Sequence, residues 1–145
     1  MKIINKSAGY NYVLFDKFEA GVELSGAEVK SLFLGQASLE EAYVKFIDNE
    51  LFLLNAHIHP YKYADTSKID PKRTRKLLLH RKELLSLQTK MQQKNFVLIP
   101  VLWYNKGRQI KLEIALAKGK KMWEKREAIK KKDIDREVEQ TLKSQ

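Results

Sequence analysis

The sequence lacks cysteine and lacks any long apolar run. Without cysteine there can be no disulfide and no thiolate ligand or nucleophile, which fits a reducing compartment. The longest apolar stretch, Phe96 to Tyr104, is too short to cross a bilayer. Met1 to Ile4 is followed at once by polar residues, so we expect no signal peptide. These absences predict a soluble, cytoplasmic protein that does not insert into membranes.

Acidic side chains are in the minority, with 18 Asp and Glu against 28 Lys and Arg, which gives a formal net charge of +10 at pH 7. Residues 1–117 contribute +6, from 18 basic and 12 acidic side chains, and residues 118–145 contribute +4, from 10 and 6. A positive excess in both parts favours a polyanionic partner, either nucleic acid or an anionic membrane surface.

The sequence also lacks the short motifs that usually mark catalysis: a phosphate-cradling glycine loop, GxSxG and HExxH. Two side-chain pairs remain as candidates. His57 and His59 lie two apart on a predicted strand and can ligate a metal or act as acid and base. Glu19 and Glu23 can act as paired carboxylates. No cysteine and no nearby acidic pair completes a metal site, so we predict no enzyme activity, no metal and no cofactor.

Apolar periodicity divides the chain into a body and a tail. Apolar residues alternate with others from Ile110 to Leu116, which is typical of a strand lying on a core. Residues 1–117 are enough for one compact domain and too few for two. Apolar residues in 118–145 are too sparse for a core. We predict a folded domain over 1–117 and a basic C-terminal tail over 118–145.

Local signals predict two helices in the body. Ser25 and Glu28 have the spacing of a capping box. Gly35 lies where a left-handed C-terminal cap is needed. Leu84 and Met91, with Leu87 between them, mark one face of a second helix of about twelve residues.

Strands are predicted on the remaining apolar stretches. Asp48 and Asn49 tolerate positive φ and are expected to join a hairpin. Gly21 predicts a bulge or tight bend, and Pro100 predicts an edge position or a bulge. The fold class is therefore mainly β: an antiparallel barrel of the oligonucleotide-binding type, with about six strands and two or three packed helices. The predicted strands are Tyr10–Phe18, Ala42–Ile47, Glu50–Ile58, Phe96–Tyr104 and the stretch that ends near Gly119.

A run of cations follows the long loop from Pro60 to Arg73. Lys72 to Lys82 contains six Lys or Arg and no acid. These cations flank Leu77 to Leu79, which anchors them to the body and favours a fixed positive patch over a solvated charged face. Such a patch predicts phosphate contacts that give affinity without sequence preference. Aromatic residues such as Tyr10, Tyr12 and Phe15 are candidates for stacking on bases, although most aromatic residues on barrel strands belong to the core.

Five stretches of the sequence carry a family resemblance: residues 5–8 (NKSA), 18–32 (FEAGVELSGAEVKSL), 55–61 (NAHIHPY), 73–79 (RTRKLLL) and 117–121 (AKGKK). In this order and spacing they resemble the SmpB family of SsrA-binding proteins, partners of transfer-messenger RNA in bacterial ribosome rescue. The resemblance implies an oligonucleotide-binding-type barrel and a tail that is disordered when free and helical on the ribosome. Two residues depart from the family pattern, Phe33 in place of Arg and Glu124 in place of Asp.

The resemblance also implies positions that contact RNA. Asn5, Glu19 and Leu78 are expected at the transfer-messenger RNA surface, where Glu19 can accept hydrogen bonds from base amino groups. We add the cations in or beside the matching stretches: Lys6, Lys30, Arg73, Arg75, Lys76, Lys118, Lys120 and Lys121. In the ribosomal decoding site we expect Trp123, Lys125, Arg126, Ile129, Lys130, Lys131 and Lys132.

The function implied is that of a non-catalytic adaptor. It binds transfer-messenger RNA and delivers it to stalled ribosomes, while the tail occupies the decoding centre and the empty messenger channel. We expect a monomer that meets elongation factor Tu only indirectly, through the charged RNA. Two alternatives stay open: a ribosomal or general translation RNA-binding protein, and a small nuclease that uses His57 and His59.

Overall fold

Nine strands and three helices make up the part of the chain that the structure describes, which in this computed structural model is residues 1–63, 69–93 and 95–120. All predictions for residues 121–145 therefore lie outside the described residues. In chain order the elements are β1 (Lys2–Ile4), α1 (Lys6–Asn11), β2 (Tyr12–Val22), α2 (Gly26–Phe33), β3 (Ala37–Ser38), β4 (Tyr43–Ile47), β5 (Glu50–Leu54), β6 (His57–Ile58), β7 (Arg75–Leu78), α3 (Arg81–Met91), β8 (Val97–Lys106) and β9 (Gln109–Gly119).

Six of the strands close into an antiparallel ring in the order β8, β4, β5, β7, β2 and β9, with β9 pairing back to β8. Strand β1 adds to the outside of β8, and β3 pairs with β6 in a small separate sheet. The pairing between neighbouring strands of the ring is shortest between β4 and β8, where Val44 and Leu98 form the one residue pair. The predicted antiparallel barrel with about six strands and two or three helices is confirmed.

The core of the barrel is filled by alternate residues of the long strands. In β9, Leu112 and Ile114 are fully buried, which confirms the period-two prediction for this stretch. Trp103 of β8 is the largest fully buried side chain among the described residues. Such interlocking of large apolar side chains supplies most of the stability of a small barrel.

The N-terminal part of β2 differs from the prediction. The strand begins at Tyr12 and not at Tyr10, because α1 precedes it. The irregularity in its pairing with β9 lies between Leu14 and Lys17, whereas Gly21 is in regular register. An extra residue in a strand reverses the face on which later side chains lie. Leu14 consequently packs beneath α1, while Phe18, Ala20 and Val22 face the barrel core.

The chemistry at the ends of α2 follows the prediction. Ser25 Oγ accepts a hydrogen bond from the Glu28 backbone, and the Glu28 carboxylate accepts one from the Ser25 backbone at 2.9 Å. At the other end, Gly35 has a φ of +74° and its N–H donates to the Leu32 carbonyl. The capping box and the left-handed cap are both confirmed.

The hairpin and the proline bulge are also confirmed, with one change in length. Asp48 and Asn49 join β4 to β5 with φ values of 50° and 66°. The pairing of β8 with β9 shifts at Pro100, which has no N–H to donate. The predicted strand 50–58 is divided in two, because Asn55 adopts a φ of 62° that breaks the extended backbone.

Candidate nucleic-acid interface

Glu19 and Leu78 come together on the outer wall of the barrel. Gly21 of β2 lies opposite Leu78 of β7 and also opposite Lys111 of β9. Glu19 precedes Gly21 by two residues and lines the same groove as Leu78 and Lys111. We call these four residues the Leu78 surface. The structure therefore joins two side chains that lie 59 residues apart in the sequence.

The absence of a side chain at Gly21 keeps Leu78 accessible. A Cβ atom at position 21 would lie 3.4 Å from the Cβ atom of Leu78. Leu78 is 47% exposed, whereas its neighbour Leu77 is buried in the core, as strand alternation requires. An exposed leucine bordered by charged residues presents an apolar platform to a flat ligand such as an unstacked base.

Glu19 is held ionised by its neighbours. Its Oε2 atom lies 2.7 Å from Lys106 Nζ. The Lys106 ammonium and then the Tyr104 hydroxyl hold the pKa of Glu19 below its ordinary value. Burial, together with the negative charge of Glu19, raises the pKa of Tyr104, so its hydroxyl remains a donor. The contacts with Lys106 and Tyr104 thus orient the carboxylate, which keeps lone pairs free to accept hydrogen bonds from base amino groups.

Arg75 does not belong to an exposed patch, contrary to the prediction. It is fully buried, and its Nε donates to Glu28 Oε2 at 2.8 Å. Its terminal nitrogens donate to the carbonyl oxygens of Ala56, at 2.8 Å, and Pro71, at 3.0 Å. A guanidinium is tolerated in the interior only when it is paired and its donors are satisfied, as they are here. Arg75 therefore has a structural role in the interior, and this position does not agree with the predicted contact with RNA.

Arg73 shares the same carboxylate. It forms an ion pair with Glu28 and donates to the Glu23 carbonyl at 3.2 Å. Burial by itself would raise the pKa of Glu28, but hydrogen bonds from Arg73, the Ser25 backbone and Arg75 outweigh it and hold the pKa below its ordinary value. Glu28 therefore ties the N-terminus of α2 to the start of β7.

Two other predicted cations, one in the run and one on α2, are more accessible. Lys76 is partly exposed, with its Nζ 3.4 Å from Glu50 Oε1. Exposed ion pairs of this kind are weak and exchange readily with a phosphate. Lys30 is exposed on α2, with its Nζ 5.3 Å from the centre of the Tyr61 ring. Both are placed where an RNA backbone can reach them, and their RNA contacts stay predictions.

The N-terminal residues occupy a separate region, where α1 meets the end of β9. Asn5 is only 5% exposed and its Nδ2 donates to the Pro100 carbonyl at 2.8 Å. Its direct contact with RNA, as predicted, does not agree with this burial; its side chain instead fixes the start of α1. Lys6 is exposed, whereas Lys118 is partly buried. Lys120 Nζ donates to the Gly9 carbonyl at 2.7 Å.

The histidine pair forms no recognisable centre. The rings of His57 and His59 lie 6.1 Å apart. Within residues 1–63, 69–93 and 95–120 no three His, Cys, Asp or Glu side chains are grouped to hold a metal ion. Over the same residues no helix is both long enough and apolar enough to cross a membrane.

Sequence reasoning missed Tyr104, Lys106 and Lys111, which surround Glu19. Their signal is the register of three neighbouring strands: Tyr104 of β8 lies opposite Lys111 of β9, and Glu19 of β2 lies opposite Glu113 of β9. That register depends on the bulge in β2 and the bulge in β8, and no local stretch of sequence predicts it.

The fold and the Leu78 surface define an antiparallel barrel of the oligonucleotide-binding type with an exposed apolar platform among charged groups. The chain belongs to the SmpB protein family, whose model matches residues 2–144. This is a family of RNA-binding proteins and not of enzymes.

Individual relatives agree over nearly the whole chain. An SsrA-binding protein of Koribacter versatilis (strain Ellin345) is 47% identical over 139 residues, which cover 96% of this chain and 79% of the relative. One of Sulfurihydrogenibium sp. (strain YO3AOP1) is 48% identical over 139 residues, 96% of this chain and 91% of the relative.

A solved structure described as "tmRNA-SmpB: a journey to the center of the bacterial ribosome" contains a similar chain. It is 39% identical in sequence, with a TM-score of 0.69, and the match covers 83% of this chain and 85% of that chain. At this sequence identity, the similarity between the two chains indicates a shared family as well as a shared fold.

Proposed function

We propose that this protein is an adaptor that binds transfer-messenger RNA (SsrA) and delivers it to stalled ribosomes for trans-translation. The relatives named SsrA-binding protein and the similar chain in a tmRNA-SmpB ribosome structure support this proposal. The observation that carries it is the Leu78 surface, where an exposed leucine and an oriented carboxylate lie side by side. This combination suits recognition of an unpaired base by its face and its edge.

The proposal divides the work between two parts of the chain. The barrel, which extends two residues beyond the predicted boundary at 117 to the end of β9 at Gly119, holds the RNA, and the tail that follows acts in the decoding centre and the messenger channel of the small subunit. The protein acts in the cytoplasm as a monomer and without catalysis, and it meets elongation factor Tu only through the charged RNA.

The structure changes which side chains this proposal uses. Glu19 and Leu78 make the base contacts, and Lys111 lines the same groove for phosphates. Lys30 and Lys76 extend the cationic surface. Glu28 and the two arginines that bind it hold α2 and β7 in place. Arg75 is buried and makes no RNA contact in this proposal, whereas Arg73 is partly exposed and its RNA contact stays a prediction.

Equilibrium binding to a transfer-messenger RNA transcript tests the site. Burying the exposed half of Leu78 against a base is worth about 1 kcal/mol, so Leu78→Ala should weaken binding about fivefold. Leu85→Ala is the matched control, because Leu85 is a 53% exposed leucine on α3. Equal affinities for the two variants would reject the Leu78 surface as the binding site.

Truncation after Lys121 tests the division of labour. Binding to the transcript should stay nearly intact, because the barrel is untouched, while tagging of stalled chains in a reconstituted translation system should be abolished. Trp123→Ala should give the same pattern, since base stacking on an aromatic ring contributes about 1 to 3 kcal/mol. A parallel loss of binding and tagging would contradict the division.

The RNA that copurifies with the protein distinguishes this function from its alternative. One dominant structured RNA supports the adaptor, whereas ribosomal RNA in bulk, bound equally well without transfer-messenger RNA, supports a general translation RNA-binding protein.

A further inference from the structure

An aromatic surface, separate from the Leu78 surface, lies at the end of the barrel where β9 ends. Phe15 is 46% exposed at the irregular part of β2. Its ring meets that of Phe96 edge to face, with centroids 5.3 Å apart. Phe96 itself is partly buried and packs against the barrel core. The pair is therefore a fixed platform, anchored on one side and open on the other.

Lys118 adds a cation to this platform. Its Nζ lies 4.6 Å from the centre of the Phe96 ring and 5.7 Å from that of Phe15. Both distances are within the range of a cation–π contact. Lys118 also lies opposite Val13 on the neighbouring strand, so its backbone is held by the sheet. The ammonium group is thus placed beside the exposed ring.

The local charge favours an anionic partner. Asp16, the acid next to Phe15, forms an ion pair with Lys90 and is neutralised. Lys17, on the other side of Asp16, is exposed. An aromatic face flanked by cations suits single-stranded nucleic acid, in which bases stack and phosphates pair with lysine. An apolar peptide would gain nothing from the cations.

We infer that Phe15 and Lys118 form a stacking site for an unpaired RNA base, with the adjoining phosphate on the Lys118 ammonium. This inference rests on the proposed function for the class of partner. The site is distinct from the Leu78 surface, since Glu19 lies opposite Glu113 while Val13 and Leu14 lie opposite the end of β9. A single RNA strand can occupy one site without the other.

The test uses the full chain and two probes: a ten-nucleotide adenine RNA that carries one 2-aminopurine, and an abasic RNA of the same length. Phe15→Ala should weaken binding of the first probe by about 5- to 150-fold and abolish quenching of its fluorescence. Binding of the abasic probe, which has phosphates but no bases, should be unchanged. Phe15→Trp should retain both affinity and quenching.

Phe33→Ala is the matched control. Phe33 is 45% exposed on α2, and no cation lies over its ring in the described part of the chain. This variant should bind and quench like the unchanged protein. The inference is overturned if Phe15→Ala matches Phe33→Ala, or if Phe15→Ala weakens the abasic probe equally.

The same preparations separate this inference from the proposed function. If the unchanged protein binds the transfer-messenger RNA transcript and Phe15→Ala quenches 2-aminopurine normally, the stacking site is wrong and the function stands. If the unchanged protein fails to bind the transcript, the function is wrong, and quenching that depends on Phe15 still supports a site for single-stranded RNA.

Discussion

The carboxylate of Glu28 is the group whose loss should be felt most strongly by the fold. Glu28→Gln removes its charge but keeps its shape and its place in the capping box, because glutamine accepts the same hydrogen bond from the Ser25 backbone. The change therefore isolates the charge from the helix cap. What remains is the fully buried Arg75 guanidinium without a counter-charge.

The expected loss of unfolding free energy is about 3 kcal/mol. Removing one partner of a buried ion pair typically costs about 3 to 5 kcal/mol. The lower end applies here, because the guanidinium of Arg75 keeps its hydrogen bonds to the carbonyls of Ala56, Pro71 and Arg73. A domain of this size has about 5 to 15 kcal/mol in total, so the melting temperature should fall by about 10 °C.

The effect should depend on pH in one direction. The pKa of Glu28 is lowered in the folded protein relative to its ordinary value of 4.5. Its charge therefore stabilises the fold fully above pH 4.5, and this contribution is lost as the pH falls through the lower folded value. The difference between the unchanged protein and Glu28→Gln should be greatest near pH 7 and should shrink below pH 4.5.

Urea unfolding at pH 7, 5, 4 and 3 measures this difference, with Glu40→Gln as the control for an exposed carboxylate. Adding Arg75→Met to Glu28→Gln should recover most of the loss, because the unpaired charge is then gone. A loss of less than about 1 kcal/mol at pH 7, or a loss that is the same at all four pH values, would refute the reasoning.

Two further predictions concern the wall of the barrel. Asn49→Ala should lower the unfolding free energy by about 1 to 2 kcal/mol, because φ at this position is 66°, while Asn49→Gly should not; thermal melts of both variants check this. Tyr104→Phe should raise the pKa of Glu19 towards 4.5 by removing one hydrogen bond to the carboxylate, which carbon-detected NMR titration measures. A pKa of Glu19 that stays in place would show that the Tyr104 hydroxyl does not contribute to lowering it.

Some elements were predictable because their causes are local. The capping box needs only Ser25 and Glu28 three residues apart, and the hairpin needs only two residues that tolerate positive φ. The bulge at Pro100 follows from a missing N–H. Each of these signals is complete within a few residues, so no knowledge of the rest of the fold is required.

The bulge of β2 was misplaced because its cause is distant. Gly21 is free to bend, but its neighbours across the sheet, Leu78 and Lys111, hold it in regular register. The extra residue lies between Leu14 and Lys17, where one face of the strand packs against α1 and the other face packs against the barrel core. Only the docking of α1 onto the strand decides this position.

The cation run shows the same limit at the site itself. Along β7, Arg75 and Leu77 point inward while Lys76 and Leu78 point outward. Each of these two pairs contains one cation and one leucine, so the residue types do not predict which pair is buried. The choice follows from Glu28, which offers a buried carboxylate to Arg75 from a helix 47 residues earlier. Because Arg75 is turned inward to that carboxylate, strand alternation turns Leu78 outward beside Glu19, and the interior ion pair thereby sets the face that is offered to RNA.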